Sequence, residues 1–255
     1  MILRTNRLTK EFGGLTAVDD VDFGLESDEL CSLIGPNGAG KTTFFNLLTG
    51  VLEPTAGTVE FRTTDGYREV SGLDPHETAS LGIHRSYQIT NVFPASTVVE
   101  NVRIAAQAAG EDSFRIWRNV RSFDAYYEEA YAVLDRVGLA EKAEVPASSL
   151  SHGEKRQLEI AIALAGDPDL LLLDEPNAGV SSESIDLVVD LIEDVAEDHA
   201  VLLVEHNMDI VMSVSDRVVV LNQGAVIADG PPAEVREDEA VQEAYLGGYE
   251  RGAVA

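Results

Sequence analysis

The spacing of apolar and polar residues changes several times along this chain, and each change marks an element. Val18-Asp-Asp-Val-Asp-Phe23 and Gly57-Thr-Val-Glu-Phe61 set apolar side chains between polar ones. With their turn residues they predict strands within residues 1–32 and 57–73. Leu30-Cys-Ser-Leu-Ile34 is a short apolar run that enters a Gly-rich turn and continues into Thr42-Thr-Phe-Phe-Asn-Leu-Leu48, a strand–loop–helix unit. From Thr97 to about Leu139 the period becomes helical. Val102, Ala105 and Ala109, and later Tyr127, Ala130, Tyr131 and Leu134, are expected on one face. Asp169-Leu-Leu-Leu-Leu173 and Ala200-Val-Leu-Leu-Val204 are apolar runs followed by acids, the pattern of strands covered on both faces in a parallel sheet. Ile185 to Val195 repeats apolar residues at helical spacing between them. Strand, helix and strand in succession predict an α/β core with a parallel sheet, with a helical insertion between its two halves.

Composition then limits the setting. The 255 residues suit one large domain or two lobes, and 45% hydrophobic content is enough for a sizeable core, which excludes general disorder. Cys31 is alone, so no disulfide forms within the chain, as expected in a reducing compartment. Met1 to Lys10 contains no apolar leader segment, and no run approaches the ~20 apolar residues of a membrane span. A soluble intracellular protein is expected. Against 45 acidic residues stand 18 basic ones, a formal charge of −27. A surface this acidic repels polyphosphate backbones and disfavours nucleic acid as a partner. Lysine occurs only at Lys10, Lys41, Lys142 and Lys155. Such a surface suits cytoplasm of molar salt, where the Debye length is ~3 Å and self-repulsion is screened, so a halophilic source is expected.

Against that background one segment carries specific chemistry. Gly35-Pro-Asn-Gly-Ala-Gly-Lys41-Thr42-Thr43 fits G-x-x-x-x-G-K-[ST] and lies between a predicted strand and a predicted helix. Glycine lets the backbone wrap a phosphate with its N–H groups turned inward. In this motif, the type case of a phosphate loop, Lys41 reaches the β- and γ-phosphates and Thr42 ligates Mg²⁺. Leu170-Leu-Leu-Leu-Asp174-Glu175 supplies the second half: Asp174 at the strand end for the metal, and Glu175 to orient or deprotonate the attacking water. Leu150-Ser-His-Gly-Glu154 opens a helix in which Ser151 and Glu154 form a capping box, and its free N–H groups suit an anion. Leu158, Ile160, Ala161 and Leu164 are expected on that helix's apolar side, with Lys155, Arg156, Gln157 and Glu159 on the polar one.

Taken together, in order and spacing and over nearly the whole length, these motifs resemble the ATP-binding subunits of ABC transporters. The resemblance implies a P-loop NTPase (RecA-like) parallel-sheet core with an N-terminal antiparallel β lobe and an inserted helical subdomain. It implies a single ABC ATPase domain over 1–255, divided into core and lobe (1–96 and 160–230), helical subdomain (97–159) and C-terminal helical tail (231–255). Phe12 resembles the aromatic that stacks on adenine. Gln88, in Ser86-Tyr-Gln-Ile-Thr-Asn-Val-Phe93, resembles the glutamine that touches Mg²⁺ and senses the membrane partner. Asn177-Ala-Gly-Val180 takes the place of the dimer-contacting loop, and His206 that of the switch histidine at the γ-phosphate. ATP and Mg²⁺ are the implied ligands. Gly35, Pro36, Asn37, Gly38, Ala39, Gly40, Lys41, Thr42 and Thr43 are implied as the ATP-binding loop, and Glu175, His206, Lys41 and Gln88 as the hydrolytic set. Thr42, Gln88 and Asp174 are implied on the metal side. Ser151, Gly153 and Glu154 are implied to contact ATP held by a second ATPase subunit, identical or related. His152 and Glu154 stand where the usual signature has Gly and Gln. His76, His84 and His199 read as structural.

Glu205-His-Asn-Met-Asp-Ile-Val-Met212, Asp216-Arg-Val, Asn222-Gln-Gly224, the tail Tyr245-Leu-Gly247 and Ser113-Phe-Arg-Ile-Trp117 are similar to segments of branched-chain amino-acid importer ATPases. The expected role is to power a membrane importer from the cytoplasmic face, bound to integral permease subunits and served indirectly by a solute-binding protein. Urea or short-amide uptake is the neighbouring alternative, and a lipopolysaccharide-extracting cousin needs an outer membrane. A soluble, non-transport ABC ATPase usually carries a coiled-coil insertion or two fused cassettes, and this chain has neither. A nucleotide switch without hydrolysis is expected to lack Glu175 or His206, and a nucleotide kinase has no need of the signature helix.

Overall fold

The computed structural model describes residues 1–86, 92–109, 121–180 and 182–251. Two sheets organise them. The smaller is antiparallel, in the order β2-β1-β4-β5, built from β1 (Leu3–Phe12), β2 (Leu15–Leu25), β4 (Ala56–Thr63) and β5 (Gly66–Glu69). The larger runs β10-β9-β3-β8-β7-β6, from β3 (Leu30–Ile34), β6 (Ile83–Ser86), β7 (Leu170–Asp174), β8 (Ala200–Val204), β9 (Arg217–Asn222) and β10 (Ala225–Gly230). β9, β3, β8, β7 and β6 are parallel, and β10 folds back antiparallel on β9. That last hairpin turns through Gln223 and Gly224 at φ 49° and 87°, the positive angles that a two-residue hairpin turn demands.

The period of two along β7 explains the layering. Leu170 and Leu172 face Phe44, Phe45, Leu47 and Leu48 of α1 (Lys41–Leu48), with Val59 and Phe61 of the small sheet in the same cluster. Leu171 and Leu173 face the other way, into a cluster built with α3 (Val98–Ala109), α4 (Arg121–Arg136), α5 (His152–Leu164) and α6 (Ser182–Ala196). At about 1.5–3 kcal/mol for each fully buried Leu or Phe side chain, these layers fix the strand ends at which the chemistry collects. A third cluster joins Ile34, Val218 and Val220 to Val211 of α7 (Met208–Val214), Val235 of α8 (Pro232–Glu237) and Val241 of α9 (Glu239–Arg251). The remaining helix, α2 (Pro75–Ser80), begins with a capping box between Asp74 and Glu77. Among the described residues no helix is long and apolar enough to cross a membrane.

The helical faces differ from the expected ones at three places. On α3 the buried alanine is Ala106, and Ala109 lies at the exposed end of the helix, because Val98, Val99 and Val102 set the buried stripe. On α4, Ala130 and Leu134 are buried, but Tyr131 is 42% exposed and its hydroxyl bonds to Glu144. On α5, Glu159 is buried beside Arg156 with which it pairs, because α5 touches α3, α4, α6 and β6 and so has a wider buried arc than one apolar face. α5 also runs unbroken across residues 159 and 160, leading from the signature segment to the foot of β7. The left-handed residues Gly166 and Asp167 follow it.

Candidate nucleotide site

Loop 35–40 leaves the carboxyl end of β3 in a conformation that only glycine supplies cheaply. Gly38 and Gly40 have φ of 81° and 108°. A Cβ on Gly40 would lie 2.3 Å from the Ala17 carbonyl oxygen, and one on Gly35 would lie 2.1 Å from that of Leu221. The loop is therefore clamped between β2 and β9, and side chains are excluded from both approaches. Gly40 then starts α1 with no side-chain cap and no acidic residue in the first turn. The N–H groups of the first turn, with the positive end of the helix dipole, are left for an outside anion. Lys41 is buried, and its ammonium donates to the carbonyl oxygens of Gly35 at 2.5 Å and Pro36 at 3.3 Å. Burial pushes the Lys41 ammonium below its usual pKa, and Glu175 and Asp174 act against that shift.

Residues 37–43 line one side of a cleft of about 650 Å³. Phe12, Leu15, Thr16 and Ala17 of the β1–β2 hairpin form another wall, and Glu175, His206 and Gln223 close it. Phe12 is 46% exposed, with the Lys10 ammonium 5.3 Å from its ring centroid. An exposed aromatic face beside a phosphate loop is a surface on which a flat base can stack. Thr42 is exposed and lines the same cleft.

The carboxylates arrive on β7 and the turn after it. Asp174 ends the strand with its side chain 12% exposed, and its Oδ2 accepts from Arg85 at 2.6 Å. Glu175 is held at φ 49°, a left-handed backbone that costs a non-glycine residue of order 1 kcal/mol and concentrates at functional sites. Its N–H is tied to the Val204 carbonyl at 2.9 Å, which aligns the ends of β7 and β8. Across the gap, His206 Nε2 lies 2.5 Å from Glu175 Oε1. Glu205, buried just before it, shapes both turns. Its Oε1 accepts from the backbone and side-chain nitrogens of Asn177 at 3.1 and 3.0 Å, and its Oε2 accepts from the N–H of His206 at 3.0 Å.

The signature segment lies elsewhere. Ser151 caps α5, accepting from Glu154 N, while Glu154 accepts from Ser151 N and pairs with Lys142. That pairing, with the Ser151 amide, holds the Glu154 carboxyl below its usual pKa. Among the described residues, Ser151, Gly153 and Glu154 are not on the wall of the Lys41 cleft. Arg156 reaches from α5 to the Ala178 carbonyl at 3.4 Å, tying the signature helix to the Asn177–Val180 loop. Gln88 lies outside the described residues. His84 and His199 bond to backbone carbonyls, His84 to Ala163 at 2.8 Å and His199 to Pro168 at 2.7 Å, as structural histidines do. Two residues of this neighbourhood had no assigned role from sequence, Arg85 and Glu205. For Glu205 the usable signal was a charge directly after an apolar strand, since such a charge must find a partner inside; Arg85, within Ile83-His-Arg-Ser86, carried no such signal.

A glycine loop clamped beneath an uncapped helix, a buried lysine opening that helix, and a Glu–His pair across the cleft define a P-loop nucleotide site. The sheet order and the helical layer make it an ATP-binding cassette. The chain belongs to the ABC transporter family, whose pattern it matches over residues 18–178. Residues 225–251 further match the family described as branched-chain amino acid ATP-binding cassette transporter. The chain is 40% identical to the high-affinity branched-chain amino acid transport ATP-binding protein LivG of Salmonella typhimurium, over 96% of this chain and 98% of that one. Against BraF of Pseudomonas aeruginosa, a protein of the same description, identity is also 40%, with 96% and 98% covered. A solved nucleotide-free ATP-binding cassette from an ABC transporter superposes with a TM-score of 0.83 at 29% identity, covering 96% of this chain and 98% of that one.

Proposed function

We propose that this chain binds and hydrolyses ATP to drive a membrane importer, with branched-chain amino acids as the transported class. The observation that carries the ATPase reading is the single cleft in which Lys41, the uncapped α1 terminus, Glu175 and His206 converge. The transported class draws support from the relatives and from the match of residues 225–251.

The loop 35–43 grips the triphosphate through its N–H groups and Lys41, whose ammonium exchanges the Gly35 carbonyl for phosphate oxygens. Phe12 stacks on the base. Glu175 accepts a proton from the attacking water, and His206, bonded to it, orients that carboxylate and faces the terminal phosphate. Hard oxygen donors suit Mg²⁺, and Thr42 beside the loop with Asp174 at the strand end fits it, with Gln88 as a third. Bound there, Mg²⁺ neutralises charge on the β- and γ-phosphates. Ser151 and Gly153, which do not line the Lys41 cleft, serve the nucleotide of a second cassette subunit in a two-fold sandwich. Glu154 serves beside them as the residue that caps this helix. The division of the domain into core and lobe (1–96, 160–230), helical subdomain (97–159) and tail (231–255) belongs to the same reading.

For the permease, a groove of about 560 Å³ lies between α2, β6, α3 and α5, lined by Pro75, Ala79, Ile83, Ala105, Ala108 and Ile162 among others. Its apolar floor at β6 suits a helix projecting from a membrane subunit. On this reading the chain works at the cytoplasmic face of the membrane, held there by its partner.

The test is recovery of partners from the source's own detergent-solubilised membranes, in molar KCl with ATP, using tagged Glu175→Gln protein. A multi-span permease is the expected partner, and leucine, isoleucine or valine the expected ligands of its binding protein. A urea-binding partner would redirect the substrate, and soluble partners alone would overturn the transport reading.

A further inference from the structure

Arg85 belongs to β6, level with Leu172 in the adjoining β7. Its side chain is 6% exposed, and one guanidinium nitrogen donates to Asp174 Oδ2 at 2.6 Å. A second donates to Asn46 Oδ1 on α1 at 2.7 Å, and the guanidinium carbon stands 5.3 Å from the ring centroid of Phe45. One side chain therefore touches both the helix that begins with Lys41 and Thr42 and the strand end that carries Asp174. Replacing a buried ion pair by apolar packing is often neutral or stabilising, so stability is a weak reason for this one. What such a pair does supply is geometry, because a planar fork fixes two acceptors at once.

We propose that Arg85 is a positioning residue for the metal carboxylate. By gripping Oδ2 of Asp174 and Oδ1 of Asn46 together, it sets the rotamer of Asp174 and its separation from α1, and it leaves Oδ1 of Asp174 for the divalent cation. The proposal rests on the reading of Asp174 as a metal ligand. It also fixes the sign of the effect. A fixed positive charge next to Asp174 repels a second cation, so on charge alone removal of Arg85 would strengthen Mg²⁺ binding. Positioning requires the reverse.

The experiment titrates a fluorescent ATP analogue into the full chain, first in EDTA and then over a MgCl₂ series. For Arg85→Met we expect unchanged affinity in EDTA. The Mg²⁺ concentration that gives half of the metal-dependent gain should rise about tenfold, as for lost partners of other metal ligands. Arg85→Lys should recover little, since a point charge cannot hold both acceptors. An unchanged or lower Mg²⁺ requirement in Arg85→Met overturns the proposal. Asp174→Asn separates the two levels. If it retains the full Mg²⁺ response, the ligand reading fails. If it loses that response while Arg85→Met does not change it, only the role of Arg85 fails. Should Arg85→Met not fold, Asn46→Ala frees the guanidinium from α1 and keeps the Asp174 pair. A rise of about threefold is then expected, the worth of one hydrogen bond, and no rise overturns the proposal.

Discussion

Glu175→Gln is the change whose outcome the geometry constrains most. Glutamine has nearly the volume of glutamate and the same demand on the left-handed backbone at φ 49°, so the strain is common to both. The N–H bond from residue 175 to the Val204 carbonyl is unaffected by the side chain. Among the described residues, the bond lost in its charged form is the one to His206, between side chains 25% and 46% exposed. Solvent screens such a pair to about 0–1 kcal/mol, so the melting temperature should move by no more than about 4 °C for a chain of this size. Binding should survive, because Lys41 and the α1 terminus are untouched and one negative charge near the triphosphate is gone. Hydrolysis should not. Loss of a general base costs about 10²–10⁴ in rate, or roughly 2.7–5.5 kcal/mol of barrier at 1.36 kcal/mol per tenfold. Single-turnover phosphate release alongside nucleotide titration measures both. Turnover within about threefold of the parent refutes the assignment of the base, and joint loss of turnover and binding refutes the claim that residue 175 acts only in the chemical step.

Lys41→Ala should abolish ATP retention in a filter assay while leaving the fold intact, and retained affinity would reduce the loop to a tight turn. Glu205→Ala should destabilise the protein by about 2–3 kcal/mol in urea unfolding, since the N–H groups of Asn177 and His206 lose a buried acceptor. An unchanged midpoint would show that water replaces it without cost. With 45 acidic residues against 18 basic, the fold should gain stability as KCl rises from ~0.1 M to ~1 M and the Debye length falls from ~10 to ~3 Å. A thermal melt by circular dichroism that does not move over that range would remove the halophile inference.

Sequence alone determined the elements whose burial is independent of the partner. Leu30–Ile34 and Ala200–Val204 are strands with the expected ends, because a five-residue apolar run between turn signals is buried on either side of a sheet. The capping box at Ser151 and Glu154 formed as expected, since a cap depends only on residues three apart. The phosphate loop was legible for the same reason: its glycine pattern meets a local backbone demand. Tertiary structure decided what depends on distant neighbours. Glu159 is buried because α5 has helices on several sides, whereas Tyr131 is exposed on a helix that buries its neighbours Ala130 and Leu134. Arg85 and Glu205 acquired their roles only when β6 was laid beside β7, and β8 beside β7. The same pairing brought Glu175 to His206 across 31 residues of chain. Periodicity records which face of an element is dry, whereas the partner of a buried charge is fixed by strand order, which no local pattern encodes.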